Sequence, residues 1–255
     1  MTLFEAIILG IVEGFTEFLP ISSTGHLMIT SEILGLTMTD FVKSFTVYIQ
    51  LGAILAVLFL YGKRFLKDKK TNLRVLTAFI PTALIGLAAY PIIKNVFLEN
   101  LTVVAWALII GGLALIVFEK WHLKRKKDND EIKPKTAIGI GLFQALAIIP
   151  GVSRSGATII GGLLLGINRK TIVEFSFLLA VPTMAGATFL DLYKSDFSFS
   201  SNEWLMIAVG AITAFITAII AIKFLLNYIQ KHDFTVFGWY RIAMGLILLA
   251  FILGK

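Results

Sequence analysis

Pro20-Ile-Ser-Ser-Thr-Gly-His26 and Pro150-Gly-Val-Ser-Arg-Ser-Gly156 interrupt two apolar regions of this chain, residues 3–35 and 136–168, near their middles. A hydrocarbon core of ~30 Å takes ~20 helical residues to cross. Either region is too long for one span and too short for two spans with a turn. Half-helices of ~14 residues reach only ~21 Å at ~1.5 Å per residue. The reading that fits is a re-entrant helix–loop–helix pair that enters and leaves by the same face. Its tip then has to line a protein-walled or water-filled cavity, because unpaired backbone is not tolerated in lipid.

The rest of the chain places those loops in a membrane. Of 255 residues, 57% are hydrophobic and 15% charged, and mean hydropathy is +0.86. A soluble domain of this length needs more charge to cover its surface. Six unbroken apolar runs, residues 45–62, 75–93, 101–118, 172–190, 204–222 and 235–254, are each long enough to span. Cysteine is absent, so there is no disulfide framework. Met1–Leu9 carries Glu5 and no basic stretch, which argues against a cleaved signal peptide.

Two copies of one unit account for this order. At an offset of 130, Pro20 matches Pro150, Phe45 matches Phe175, and Phe59-Leu60 matches Phe189-Leu190. At an offset of 133, Val103, Trp106, Ile109, Gly112-Leu113, Leu115 and Phe118 match Val236, Trp239, Ile242, Gly245-Leu246, Leu248 and Phe251. The expectation is a single all-α integral membrane domain over 1–255, with six transmembrane helices and two re-entrant pairs. The first repeat covers 1–119 with its re-entrant pair at 3–35, and the second covers 136–255 with its pair at 136–168. Three spans per copy is an odd number, so the second copy is inverted and the two loop tips approach from opposite faces.

The charges agree with that topology. One side collects Lys63, Arg64, Lys67, Lys69, Lys70, Arg74, the basic linker 120–135, Arg169, Lys170, Lys223 and Lys231. The other holds Lys43, Lys94, Lys194 and Lys255. By the positive-inside rule the first side is cytoplasmic and both termini lie outside. Net charge is +7, but the basic residues sit in short connectors beside spans. They read as topology signals and contacts with anionic headgroups, and not as a nucleic-acid surface.

Ionisable residues at membrane depth are expensive and therefore informative. Glu13 and Glu17 lie four apart on one helical face. Together they suit a divalent cation or the orientation of a nearby histidine, the plainer alternative being a wet interface. Glu5 and Glu32, near the outer ends, read as wet. Ser22, Ser23, Thr24, Gly25 and His26 pack hydroxyls, a flexible residue and an imidazole together. The hydroxyls can cap the helix that follows, while His26 reads as a general acid/base or nucleophile. Gly151, Ser153, Arg154, Ser155 and Gly156 read as an anion site, with a forked guanidinium beside a helix N-terminus. An ion pair of Arg154 with Glu13 or Glu17 is the structural alternative. The loop has neither the spacing nor the lysine of a Walker motif. Glu174 and Arg241 read as a structural pair between spans, Gln50 and Gln144 as helix-to-helix hydrogen bonders, and Pro81 and Pro182 as kinks.

Glu13-Gly-Phe-Thr-Glu-Phe-Leu-Pro-Ile-Ser-Ser-Thr-Gly-His26 and Pro150-Gly-Val-Ser-Arg-Ser-Gly-Ala-Thr158 resemble the two signatures of the bacterial undecaprenyl-diphosphate phosphatases of the bacitracin-resistance type. The resemblance extends through Leu179-Ala-Val-Pro-Thr-Met-Ala-Gly-Ala187 and Tyr240-Arg-Ile-Ala-Met-Gly245. It implies hydrolysis of undecaprenyl diphosphate to the monophosphate and inorganic phosphate, which recycles the carrier lipid of peptidoglycan synthesis and lowers sensitivity to bacitracin. It also implies dependence on a divalent metal, Mg or Ca, and a place in the bacterial cytoplasmic membrane. Carried onto this chain, Glu13 and Glu17 bind metal or position His26, and Arg154 holds the diphosphate. Ser23 is the attacking hydroxyl, with Ser22, Thr24, Ser153 and Ser155 on phosphate oxygens. His26 or a metal-bound water stays open as the nucleophile. Expected partners are a polyprenyl diphosphate and membrane lipid, with a homodimer as candidate assembly and no nucleic acid. Inverted repeats with broken segments at the midplane also suit a lipid-carrier flippase, which remains the alternative.

Overall fold

A computed structural model describes residues 1–92, 100–122, 129–194 and 199–254. Lys94, Lys255 and residues 123–128 of the expected linker lie outside them. The described residues are helical throughout, without a strand, and are joined by short turns. In chain order the helices are α1 (Leu3–Thr16), α2 (Ser23–Ile33), α3 (Asp40–Lys67), α4 (Lys69–Ile92), α5 (Leu101–His122), α6 (Pro134–Ala145), α7 (Arg154–Leu164), α8 (Arg169–Lys194), α9 (Ser201–Tyr228) and α10 (Thr235–Leu253). Six of them, α3, α4, α5, α8, α9 and α10, are long and apolar enough to cross a membrane.

The two interrupted regions become pairs of short helices. α1 and α2 have 14 and 11 residues, and α6 and α7 have 12 and 11. At ~1.5 Å per residue none reaches ~30 Å. The spans, by contrast, run past the apolar stretches that mark them. α3 begins at Asp40 and ends at Lys67, because helix continues through the headgroup layer, where lysine and arginine stems lie along apolar surface and their heads reach water. Asp68 then caps α4, its carboxylate accepting from the N–H and hydroxyl of Thr71 at 2.9 and 2.6 Å. α8 continues through Pro182, as α4 does through Pro81.

Packing follows the small residues. α1 lies along α9, α3 against α9 and α8, α4 against α6 and α8, and α5 along α10. A Cβ at Gly10 or Gly14 of α1 would overlap the backbone of Gly210 or Ala214 in α9, and one at Gly141 of α6 would overlap Ala78 of α4. Without a hydrophobic driving force between helices in lipid, such backbone-to-backbone approaches supply the contact. Thr82 takes advantage of one, donating to the Gly141 carbonyl at 2.9 Å.

On the basic side, connectors are tied down by ion pairs. Arg64 reaches Glu174 at 2.6 Å, and Arg169 reaches Glu119 at 2.6 Å. Glu119 also accepts from the Phe234 amide at 3.0 Å, joining α5, α8 and the start of α10. The expected pairing of Glu174 with Arg241 is therefore not what forms. α8 lies against α3, whose Arg64 takes Glu174, while α10 lies against α5 and turns Arg241 toward the loops.

Gly52 and Gly62, both in α3, separate close packing from helix propensity. A Cβ at Gly52 would overlap the Ala211 backbone of α9, whereas Gly62 has open space. Gly52→Ala should lower the thermal unfolding midpoint in detergent, by an overpacking cost of ~1–3 kcal/mol. Gly62→Ala should leave it unchanged or raise it slightly, as a helical glycine replaced by alanine does. Equal midpoints for the two variants would remove the close crossing from the account.

Candidate functional site

Each loop is cut by its proline and closed by a serine. Pro20 and Pro150 disfavour helix in the residue before them; Ile149 is accordingly extended, at φ −75° and ψ 120°. The chain then reaches Ser22 and Ser153, at φ +74° and +70°, the only non-glycine residues with positive φ among those described. Each serine is the N-cap of the helix that follows. Ser22 Oγ accepts from Gly25 N–H at 3.3 Å, and Ser153 Oγ from Gly156 N–H at 3.1 Å. Two β-carbon residues held in a disfavoured backbone region, both here, point to a site that the surrounding structure enforces. Ser22 and Ser153 stand 131 residues apart, one more than the two prolines. The second loop has an extra residue before its serine, and Gly151 at φ +93° accommodates it.

The loops meet at Arg241. Its side chain is 1% exposed, and all five of its N–H bonds go to backbone carbonyls. Nη1 donates to Pro20 and Val152 at 3.1 Å each, and Nη2 to Gly151 at 2.9 Å and Ala107 at 3.0 Å. Nε donates to Leu108 at 3.4 Å. One guanidinium thus joins both loop tips to α5. Ser155 adds a second link, donating to the Leu19 carbonyl at 2.7 Å. Gly111 leaves room for this guanidinium, since a Cβ there would overlap Nη2.

Around that junction lies a cavity of about 190 Å³ whose walls include Glu17, Ser22, Ser23, Thr24, Gly151, Ser153 and Arg154. Glu17 is its hub. One carboxylate oxygen accepts from the Ser23 hydroxyl, and the other from Arg154 Nη2 at 2.9 Å. Arg154 Nη1 is held by the Ser176 carbonyl at 2.7 Å and its hydroxyl at 3.2 Å, and the guanidinium lies 5.8 Å over the Phe18 ring. Arg154 Nε has no partner among the described residues. The ion-pair alternative for Arg154 is thus present, and Ser23 joins it by donating to the other Glu17 oxygen. An acid, a hydroxyl, a guanidinium and two helix N-termini meet in one buried place.

His26 lies apart from that group. Its Nδ1 is 2.7 Å from the Ser22 carbonyl, which can only accept, so Nδ1 carries the hydrogen. Nε2 then accepts from the Tyr240 hydroxyl at 2.7 Å. Ser155, Gly25 and Gly156 serve contacts rather than the cavity wall. Gly25 packs under Val104, and Gly156 lies beside Ser153 and Arg241. Glu13 is fully buried one turn from Glu17, and neither of its oxygens has a hydrogen-bond partner among the described residues. Two acidic oxygens left without a donor suit a hard divalent cation, and Mg²⁺ in particular uses one or two carboxylates with water and substrate phosphates. No cluster of three or more acidic, histidine or cysteine ligands occurs among the described residues, and Glu13 and Glu17 are the residues that could contribute to such a site.

Residue type alone missed Ser176 and Tyr240, while the helix-to-helix hydrogen bonding expected of Gln144 builds the far wall of the cavity. There Gln144 donates to Thr82 at 2.9 Å and to Thr183 at 3.1 Å.

The profile of a known family, described as bacitracin resistance protein BacA, matches residues 6–247. A protein of Aquifex aeolicus named undecaprenyl-diphosphatase is 52% identical over 255 residues, covering 99% of this chain and 100% of its own. One of Sulfurihydrogenibium, with the same name, is 53% identical over 250 residues, covering 97% and 98%. The undecaprenyl-diphosphatase 1 of Clostridioides difficile is 46% identical over 265 residues, covering 98% and 96%.

The Arg241 junction predicts a graded loss of stability. Lysine has three donors for five carbonyls, and each buried acceptor left unsatisfied costs ~1–3 kcal/mol. Arg241→Lys should lower the thermal midpoint in detergent measurably, and Arg241→Met should lower it further. Wild-type midpoints in both variants would show that the loops hold without this clamp.

Proposed function

From its membership of the bacitracin resistance protein BacA family, we propose that the chain hydrolyses undecaprenyl diphosphate to undecaprenyl phosphate and inorganic phosphate, as the names of its relatives describe for them. The observation that carries the reading is Glu17 held between the Ser23 hydroxyl and Arg154 in a cavity at the junction of two helix N-termini.

The chemistry runs through these residues. Glu17 accepts the Ser23 proton as Ser23 Oγ attacks the terminal phosphorus. The new Ser23 O–P bond forms as the bridging P–O bond breaks, and undecaprenyl phosphate leaves. Water then cleaves the phosphoserine, Glu17 returns the proton to Ser23, and inorganic phosphate is released. Arg154 offers its unpartnered Nε–H to the transferring group, and the amides opening α2 and α7 add donors at fixed positions. Ser22, Thr24 and Ser153 line the cavity within reach of phosphate oxygens. His26, with both nitrogens engaged, orders the start of α2. A divalent cation held by Glu13 and Glu17 would neutralise charge on the diphosphate.

We further read α1–α2 and α6–α7 as re-entrant pairs in two inverted repeats, 1–119 and 136–255, with basic connectors cytoplasmic and both termini outside the bacterial inner membrane. Three features support this: the short helices, the paired serine caps, and a packing scheme that survives exchange of the halves. Under that exchange α1 on α9 becomes α6 on α4, and α5 on α10 maps to itself. In a cell, such an enzyme would recycle the carrier lipid of peptidoglycan synthesis and remove the diphosphate that bacitracin sequesters. The same two-fold scheme suits a carrier that flips lipid, and detergent separates the two, since it abolishes vectorial transport but not hydrolysis.

Detergent-solubilised wild type should release phosphate from undecaprenyl diphosphate. Arg154→Ala and Ser23→Ala should each fall below about a tenth of that rate, a loss of at least ~1.4 kcal/mol of transition-state stabilisation. Phosphate release at the wild-type rate by Ser23→Ala would replace serine attack with direct attack by water. No release by any of the three proteins would favour the flippase. Chelation of divalent ions should suppress release by about tenfold or more, with recovery on adding Mg²⁺ or Ca²⁺. A rate indifferent to chelator would remove the cation from Glu13 and Glu17.

A further inference from the structure

A second cavity, of about 600 Å³ and almost wholly apolar, lies across the second loop from the polar one. Ala107, Gly111 and Ala114 of α5, Ala157 and Ile160 of α7 and Phe143 of α6 line it. Trp106, Ile110 and Leu146 also line it and are exposed, so the groove opens sideways toward lipid. Its inner end adjoins the polar site. Ile149 lines both cavities, Gly151 and Ser153 face the polar one, and Val152 and Gly156 face the groove. Small residues normally draw helices into contact in lipid, yet here they leave a space within the volume range of ligand pockets.

The duplicated half supplies an internal comparison. At the offset of 133 that aligns α5 with α10, Ala107 becomes Tyr240, Gly111 becomes Met244 and Ala114 becomes Ile247. At the offset of 131 that aligns the serine caps, Ala157 becomes His26. The equivalent place between α10 and α2 is therefore filled by the two rings that meet there. His26 and Tyr240 stack 5.5 Å apart at 5° and share a 2.7 Å hydrogen bond. One copy of the unit is plugged by a polar pair, and the other has that pair replaced by alanines and stands open.

We propose that the α5–α7 groove seats the isoprenoid chain of the lipid diphosphate, with the diphosphate across the 149–152 loop beside Ser23 and Arg154, and that His26–Tyr240 closes the related groove. The proposal rests on the phosphatase reading and adds where the chain lies and which half receives it. An apolar chain in a groove that adjoins a polar cavity presents its head to the site in one orientation. Binding energy from the chain then becomes available at the reacting phosphorus.

The test compares undecaprenyl diphosphate with isopentenyl diphosphate, which carries a single isoprene unit. Ala114→Phe fills the groove away from the loop, and Ile247→Phe makes the matched change on the plugged half. Ala114→Phe should lower the ratio of kcat/KM for the long substrate over the short one by about tenfold, and Ile247→Phe should not. Independently, a long-chain isoprenoid diphosphate bearing a diazirine on its chain should label α5 and α7 peptides of the wild-type protein, and not α10. An unchanged ratio in folded Ala114→Phe, or label confined to other helices, overturns the groove. Should the filled variant fail to fold, the labelling of wild type decides alone. Label on α5 and α7 in a wild type that releases no phosphate would retain the groove and reject the phosphatase.

Discussion

Backbone carbonyls at the tips of two interrupted helices have no place in hydrocarbon unless something donates to them. Arg241 does so for Pro20, Gly151 and Val152 together, and anchors them to α5 through Ala107 and Leu108. The guanidinium has no carboxylate partner among these contacts, only five carbonyl dipoles, and its planar fork suits that array better than an ammonium would. Everything that the loops present depends on this junction. The positive φ of Ser22 and Ser153, the directions of α2 and α7, and the meeting of Glu17 with Arg154 all require the two tips to be held together.

Glu17 is the second dependency. It closes α1, donating its amide to the Glu13 carbonyl at 2.9 Å, and its side chain reaches one residue from each loop. A buried pair of this kind is weak support for stability, because desolvating both charges offsets their attraction. Its value lies in placement. Arg154 keeps Glu17 directed at Ser23, and Ser176 and Phe18 keep Arg154 in position. Glu17, the Ser23 hydroxyl and the Arg154 guanidinium are thereby held together at the wall of one cavity.

The two halves share a plan and differ in what fills it. Serine caps, prolines and helix pairings recur, but one half carries Glu13 and Glu17 where the other has Phe143 and Ala147. Likewise one half carries His26 and Tyr240 where the other has alanines. The first half brings Glu17 and Ser23 to the junction, and the second brings Arg154. A symmetric pair of sites would need two charged heads at one junction, where like charges at close range repel.

Membrane class, six spans, the two interrupted regions and the presence of Glu17, Ser23 and Arg154 as polar groups at membrane depth were legible in the sequence. Each follows from local rules: run length against bilayer thickness, proline against helix, and the cost of a charge in lipid. Tertiary structure alone decided the partners. Arg241 and Glu174 carry opposite charges on spans and looked like a pair, but helix packing gave Glu174 to Arg64 and Arg241 to the loops. His26 neighbours Ser23 in sequence, yet the first turn of α2 sends their side chains in different directions, one to Tyr240 and the other to Glu17. The groove was invisible for the same reason. Small residues on a helix state only that something can come close, and it takes the neighbouring helices to determine whether that is another backbone or an open space.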